Sequence, residues 1–352
     1  MVTQRKPGPV FLVGVWRSGT SLLHALLNQH SQIGLMYEAE LPLLKALFLR
    51  SGAKPDWLDR WDFWNSALTR HGLTAGQFPS QVSSLAAAVE NVYSRYSSLN
   101  GATIWGEKSP NYWDRMDRVL EWFPNARFIV VFRDPHAVCR SVIEAGLEGG
   151  YFAKRGMPLR ALLACEILKS QCDELRKRGA PLHVLEYEDL VKNPVAALSG
   201  ICDFLGLTFE PRMASLGGAD RQGFYDGSHH ALAKGDHIVA SRKRKDVVPA
   251  ALSKKIDGYI AYWHNKYHGE WPAHPAPGIR PAAEPSRTER QRDKASFHLL
   301  RRLDAAIATF YCWVPIGLLS RYRRSKGTRQ PSVPEVIGAG EEVSIPQGPD
   351  SR

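Results

Sequence analysis

What the chain lacks narrows it first. Cysteine is scarce: the five in 352 residues, at 139, 165, 172, 202 and 312, are odd in number and show no CxxC spacing. A disulfide scaffold and a zinc ribbon are thereby excluded, and a reducing compartment is expected. No His, Cys, Asp and Glu cluster has the spacing of a metal site, so no metal is expected. Long hydrophobic runs are missing too. Met1–Pro9 is polar, and the first apolar run, Val10–Val15, is too short for a signal peptide and meets Arg17. The expected location is therefore cytoplasmic. Acidic residues are the minority, 35 against 46 Lys and Arg, which leaves a net charge of +11. Such a balance suits an anionic ligand, nucleic acid or an acidic membrane surface without choosing among them.

What is present describes a globular α/β chain. Hydrophobic residues make up 44% and charged residues 23%, and the length suits one large domain with insertions or two ordinary ones. Val10–Val15, Arg127–Phe132 and Leu182–Tyr187 read as buried strands, with Ile33–Tyr37 and Thr103–Trp105 as shorter ones. Turns and helical patterns follow them. Ser21–Gln29, for example, carries apolar residues at 22, 23, 26 and 27. This βα alternation predicts a parallel, doubly wound sheet over residues 9–270, with a helical insertion at 41–100. Residues 271–295 open rich in Pro and Ala and are expected to be a linker. An amphipathic helical extension is expected at 296–325 and a disordered tail at 326–352. Within the extension, Ala305–Leu319 is nearly free of charge, but it falls short of the roughly 20 residues that span a bilayer, and Pro315 interrupts it. It could lie on a membrane or pack on the core, and Arg321, Arg323 and Arg324 follow it.

The chemistry begins at Gly14-Val-Trp-Arg-Ser-Gly-Thr-Ser21, between the first strand and its helix. Loop N–H groups and a helix N-terminus converge on an anion in such an arrangement. A turn that binds nothing is the plain alternative, but Arg-Ser-Gly-Thr-Ser is too polar for a mere connection. The spacing nearly satisfies GxxxxGK[ST], yet Thr20 stands where that motif has lysine. A kinase-like or hydrolytic P-loop enzyme would need that lysine and an acidic Mg²⁺ ligand, for which Asp134 is the only candidate. Arg133-Asp134-Pro135 ends another strand, and Ser141 follows eight residues after Arg133. An arginine fork and a hydroxyl there can clamp a phosphate, while Asp134 alone could simply cap a helix. A non-catalytic binder of anions or membranes is the remaining alternative. Nucleic acid is not expected, because the basic residues do not spread over a face with interleaved aromatics.

Together these two motifs resemble the PAPS-dependent sulfotransferases (PAPS is 3′-phosphoadenosine 5′-phosphosulfate), especially the branch with protein-tyrosine sulfotransferases and many bacterial relatives. The resemblance covers about residues 10–265. It implies a P-loop-type parallel sheet flanked by helices and PAPS as co-substrate without a metal. Arg17, Ser18, Gly19, Thr20 and Ser21 would hold the 5′-phosphosulfate, and Arg133 and Ser141 the 3′-phosphate. It further implies Tyr187 near the nucleotide, and Arg242 and Lys243 in a loop that covers it. Both could equally be an ordinary strand-end tyrosine and a solvated basic run. Glu38, just past the second strand, is the expected base, with Glu40, His229, His230 and His237 as alternatives. Lys108 and Arg17 would stabilise charge on the transferring group. Glu107 beside Lys108 could be a mere ion-pair partner on a surface turn, which is the plain alternative to a functional reading of this segment. Trp57, Trp61 and Trp64 share one helical face, either in the core or on the wall of an acceptor pocket. The acceptor itself stays open.

Overall fold

The structure, a computed structural model, describes residues 8–44, 57–154, 156–219, 223–224, 238, 247–271, 283–315, 317–318 and 321. The chain divides into two compact units between Val314 and Pro315, and the fold below is that of the first. It opens with β1 (Val10–Gly14), α1 (Thr20–Leu27) and β2 (Ile33–Tyr37), followed by the insertion helices α2 (Trp57–Asn65), α3 (Ala67–Arg70) and α4 (Leu85–Leu99). Then come β3 (Ile104–Lys108), α5 (Met116–Trp122), β4 (Arg127–Phe132), α6 (Pro135–Leu147), α7 (Met157–Lys177) and β5 (Leu182–Glu186). Among the described residues, four helices follow: α8 (Tyr187–Lys192), α9 (Pro194–Leu205), α10 (Ala250–Lys266) and α11 (Arg287–Trp313).

The five strands form one parallel sheet in the order β2-β3-β1-β4-β5. This is an α/β fold, a parallel sheet flanked by helices. Alternation along each strand sends side chains to opposite faces. Phe11, Val13, Phe128 and Val130 enter one buried layer with α4, α7 and α10, while Val10, Leu12, Ile129 and Val131 enter another with α1 and α9. Cys139, Cys165, Cys172 and Cys202 are free and buried.

Register decides what gathers at the carboxyl edge. Tyr37 pairs with Lys108, Leu12 with Lys108 and Gly14 with Val131, so Gly14, Tyr37 and Lys108 end neighbouring strands. β1 lies at the centre, where the chain order reverses, and that is where α/β sheets bind ligands.

Three sequence expectations need correction. β3 runs to Lys108, not Trp105, so Glu107 and Lys108 are strand residues; both are fully buried rather than on a surface turn. β5 stops at Glu186, and Tyr187 begins a helix instead of ending the strand. Residues 287–295, expected as linker, form the first turns of α11. That helix packs on the rest of the first unit. Phe297 meets Trp113 at 5.7 Å, Asp293 accepts from the Tyr259 hydroxyl at 3.0 Å, and Asp304 accepts from Arg160 at 2.8 Å.

Candidate active site

The loop after β1 turns because Ser18 N–H donates to the Val15 carbonyl at 3.0 Å and because two residues take left-handed backbone, Arg17 at φ 68° and Gly19 at φ 98°. Glycine serves at 19 for a second reason: a Cβ there would run into the Tyr187 ring. Gly19 caps α1 without any side-chain bond, leaving that helix end without a competitor for an anion. Ser18 Oγ is buried with no hydrogen-bond partner, as is Arg133 Nε. Two orphaned donors around an uncapped helix end fit a phosphate-like ligand.

Arg17 and Arg133 converge behind the loop. Arg17 Nε donates to Ser141 Oγ at 3.0 Å, and Arg133 Nη1 donates to the Arg17 carbonyl at 2.7 Å. Arg133 also lies 4.2 Å over the Tyr187 ring. Burial, and after it the nearby Arg133, pulls Arg17 below the ordinary arginine range; an anion between them would oppose both effects. Asp134 caps α6 through Ala137 N–H at 2.7 Å, so the capping role and the arginine's role coexist in one tripeptide.

The other half of the site joins the ends of β2 and β3. Lys108 Nζ donates to Glu38 Oε1 at 2.5 Å and to Ser21 Oγ at 3.2 Å, and lies 4.2 Å over the Tyr37 ring. Tyr37 and Ser21 share a hydroxyl–hydroxyl bond of 2.8 Å. A cation, a carboxylate and the first turn of α1 are thus in direct contact. Burial holds Lys108 below the ordinary lysine range, with Glu38 acting in the opposite direction. The Glu38 side chain keeps 16% exposure, and a proton acceptor needs that access to meet a substrate.

A family model described as the sulfotransferase family matches residues 9–211, well over half of the chain. The chain belongs to the sulfotransferase family. Protein-tyrosine sulfotransferase A of Caenorhabditis elegans is 27% identical over 210 residues, covering 58% of this chain and 51% of that protein. The chain therefore spans about half the length of that relative, as it does of protein-tyrosine sulfotransferase 2 of Gallus gallus, at 51%. The omega-hydroxy-beta-dihydromenaquinone-9 sulfotransferase of Mycobacterium tuberculosis is 26% identical over 307 residues, 71% of this chain and 74% of its own. Among solved structures, the sulfotransferase domain of a Synechococcus olefin synthase shares the fold with a TM-score of 0.51 at 21% identity, over 77% of this chain and 98% of that one.

In this sulfotransferase a carboxylate pair, Glu107 and Glu40, lies beside that lysine–carboxylate contact. Glu107 accepts from the Tyr93 hydroxyl at 2.8 Å, the Tyr112 hydroxyl at 2.5 Å and the Glu40 N–H. Burial, then Glu40, pushes its carboxyl up to about 8. Glu40 turns to Ser109 Oγ and Asn111 Nδ2, each donating at 2.6 Å, and burial raises it too. Glu40 is thus committed to the turn after β3, whereas Glu38 faces Lys108.

The structure therefore gathers Arg17, Ser18, Gly19, Ser21, Arg133, Ser141 and Tyr187 around one loop, with Glu38 and Lys108 beside it. Thr20 opens α1. Ser141 sits on Arg17 rather than forming a separate clamp with Arg133 alone. Arg242, Lys243, His229, His230 and His237 lie outside the described residues, as does the Trp64 side chain. Trp57 and Trp61 are core residues. Sequence reasoning missed the braces on the Glu38 turn: Trp61 Nε1 donates to the Ala39 carbonyl at 2.8 Å, Arg70 Nη2 to the Glu38 carbonyl at 3.1 Å, and Tyr37 N–H to His71 Nε2 at 2.9 Å. Burial lowers His71 to about 3, so it stays neutral and free to accept. Trp61 was legible only as part of an aromatic face, and no local pattern pointed to Arg70 or His71; the bracing contacts of all three come from the fold. Among the described residues no three His, Cys, Asp or Glu side chains gather as a metal site would require.

Proposed function

We propose that this chain moves the sulfuryl group of PAPS to an acceptor hydroxyl, with Glu38 as base and Lys108 and Arg17 as the stabilising cations. The observation that carries the reading is the Glu38–Lys108–Ser21 contact at the end of the uncapped α1. The acceptor oxygen bonds to sulfur as the bond from sulfur to the 5′-phosphate oxygen breaks. That oxygen keeps the electron pair, and the acceptor's proton passes to Glu38. Lys108, a compact point charge, faces the sulfuryl oxygens, and Arg17 takes the charge growing on the leaving phosphate. Arg133 and Ser141 hold the 3′-phosphate. A kinase-like reading lacks its lysine at Thr20.

The acceptor class we favour is a lipid hydroxyl. Supporting it, the likeness to a quinone-lipid sulfotransferase runs over 71% of the chain, against 58% for the tyrosine-sulfating relative.

The test pairs binding with turnover. 3′-Phosphoadenosine 5′-phosphate (PAP) should raise the melting temperature where ATP does not. Glu38→Gln should keep that shift and lose about 10²–10⁴ in transfer from radiolabelled PAPS to lipid and soluble hydroxyl acceptors, counted separately. Arg133→Ala should instead weaken PAP, by roughly 1.5–3 kcal/mol for a charge-assisted bond. No shift with PAP would overturn the donor assignment, and normal turnover by Glu38→Gln would move the base to Glu40 or to one of His229, His230 and His237.

A further inference from the structure

α11 is amphipathic the wrong way round for a helix that packs on a core. Its inward face is held largely by charge. Asp293 pairs with Lys255 at 2.6 Å, Lys294 with Glu166 at 3.4 Å, Arg301 with Asp114, and Asp304 with Arg160. Phe297 is the buried apolar contact on that side. The outward face carries Leu299, Leu303, Ala306 and Phe310 at i, i+4, i+7 and i+11, a single stripe on a helix. Leu299 is 60% exposed, Leu303 51% and Phe310 66%. Scattered exposed leucines need no explanation, but a continuous stripe marks a contact surface.

The charges around the stripe choose the partner. Arg292 and Arg302 are exposed beside it. The only acids between Arg290 and Phe310 are Asp293 and Asp304, and both are engaged by cations of the packed unit. An apolar stripe flanked by cations, with its acids withdrawn, is complementary to an anionic bilayer surface. No helix among the described residues is long and apolar enough to cross a membrane, which agrees with contact from one side. The helix also adjoins the donor loop. Phe297 and Arg301 pack on Trp113, and Trp113 meets Trp16, the neighbour of Arg17, at 5.5 Å.

We propose that the Leu299–Leu303–Phe310 face of α11 docks this protein on an anionic lipid surface. Its use in presenting a lipid acceptor rests on the transfer reading above; the docking itself does not. The experiment is flotation of the full chain with vesicles of phosphatidylcholine alone and of equal parts phosphatidylcholine and phosphatidylglycerol. Native protein should float with the mixed vesicles, far less with the neutral ones, and less at high salt. The combined variant Leu299→Gln, Leu303→Gln, Phe310→Gln should bind about 100-fold more weakly, as expected when three apolar side chains are withdrawn from an interface. These positions are exposed, and an unchanged melting shift with PAP shows that the variant is folded. Failure of the native chain to float, or equal flotation by the variant, overturns the proposal. So does a native dimer, seen by sedimentation equilibrium, that the variant dissolves while neither protein binds vesicles. Absence of the PAP shift in the native chain would sink the donor assignment and leave the docking result standing.

Discussion

Among the described residues, five non-glycine residues have positive φ, and three of them, Arg17 at 68°, Glu38 at 46° and Glu40 at 57°, lie in or beside the candidate site. Such backbone costs on the order of 1–3 kcal/mol per residue and persists where surroundings over-determine it. Glu107 is one such surrounding, since its carboxylate accepts the Glu40 N–H and two tyrosine hydroxyls. Its carboxyl stands near 8 against an ordinary 4.5. A raised acid holds a proton in the folded chain that the unfolded chain has released. Its contribution is therefore full below about pH 4.5 and is lost as pH rises through about 8. Melting temperature and transfer should both fall on the alkaline side. Glu107→Gln should flatten that fall between about pH 5 and pH 9 in melting curves. An unchanged slope would assign the alkaline loss to another group.

Strands, helices and insertion divide the work. β2 and β3 bring Glu38 and Lys108 to one edge, because register pairs Tyr37 with Lys108. Helices α2 and α3 then pin the turn that carries Glu38, through Trp61 and Arg70. Trp61→Phe keeps an apolar ring but removes the bond to the Ala39 carbonyl. The expected result is a loss of about 1–3 kcal/mol in denaturant unfolding and a slower transfer rate, with the PAP melting shift unchanged. A weakened PAP shift would mean that the insertion supports the donor loop as well. The strands Ile33–Tyr37 and Arg127–Phe132 were legible residue for residue, because a short apolar run between turn signals is a local signal. The end of β3 was not. Gly106-Glu-Lys carries polar residues into the buried end of a strand, and partners 14 and 70 residues away, Tyr93 and Glu38, make that burial tolerable.

At the scale of the whole unit, α11 closes the structure by returning to α7 and α10. Glu166 of α7 takes Lys294 and Lys266, and Asp293 takes Lys255 and Tyr259 of α10. Asp293→Ala should lower stability by about 1–3 kcal/mol, less than for a fully buried pair because Lys255 remains 25% exposed. The PAP shift should persist, since none of these groups touches the donor loop. Differential scanning calorimetry with and without PAP reads both effects, and loss of the shift would tie α11 to nucleotide binding.

The sequence by itself determined the family. Arg17-Ser-Gly-Thr-Ser21 behind a strand, and Arg133-Asp-Pro with Ser141 behind another, are contiguous patterns whose meaning lies in backbone geometry and charge, both of which are local. Tertiary structure decided the rest. It turned Ser141 onto Arg17, sealed Glu107 behind two tyrosines, braced Glu38 with an insertion that has no motif of its own, and faced the α11 leucines outward. Each of those outcomes depends on which distant side chain stands opposite. Sheet register and helix packing set that, and no stretch of adjacent residues encodes it.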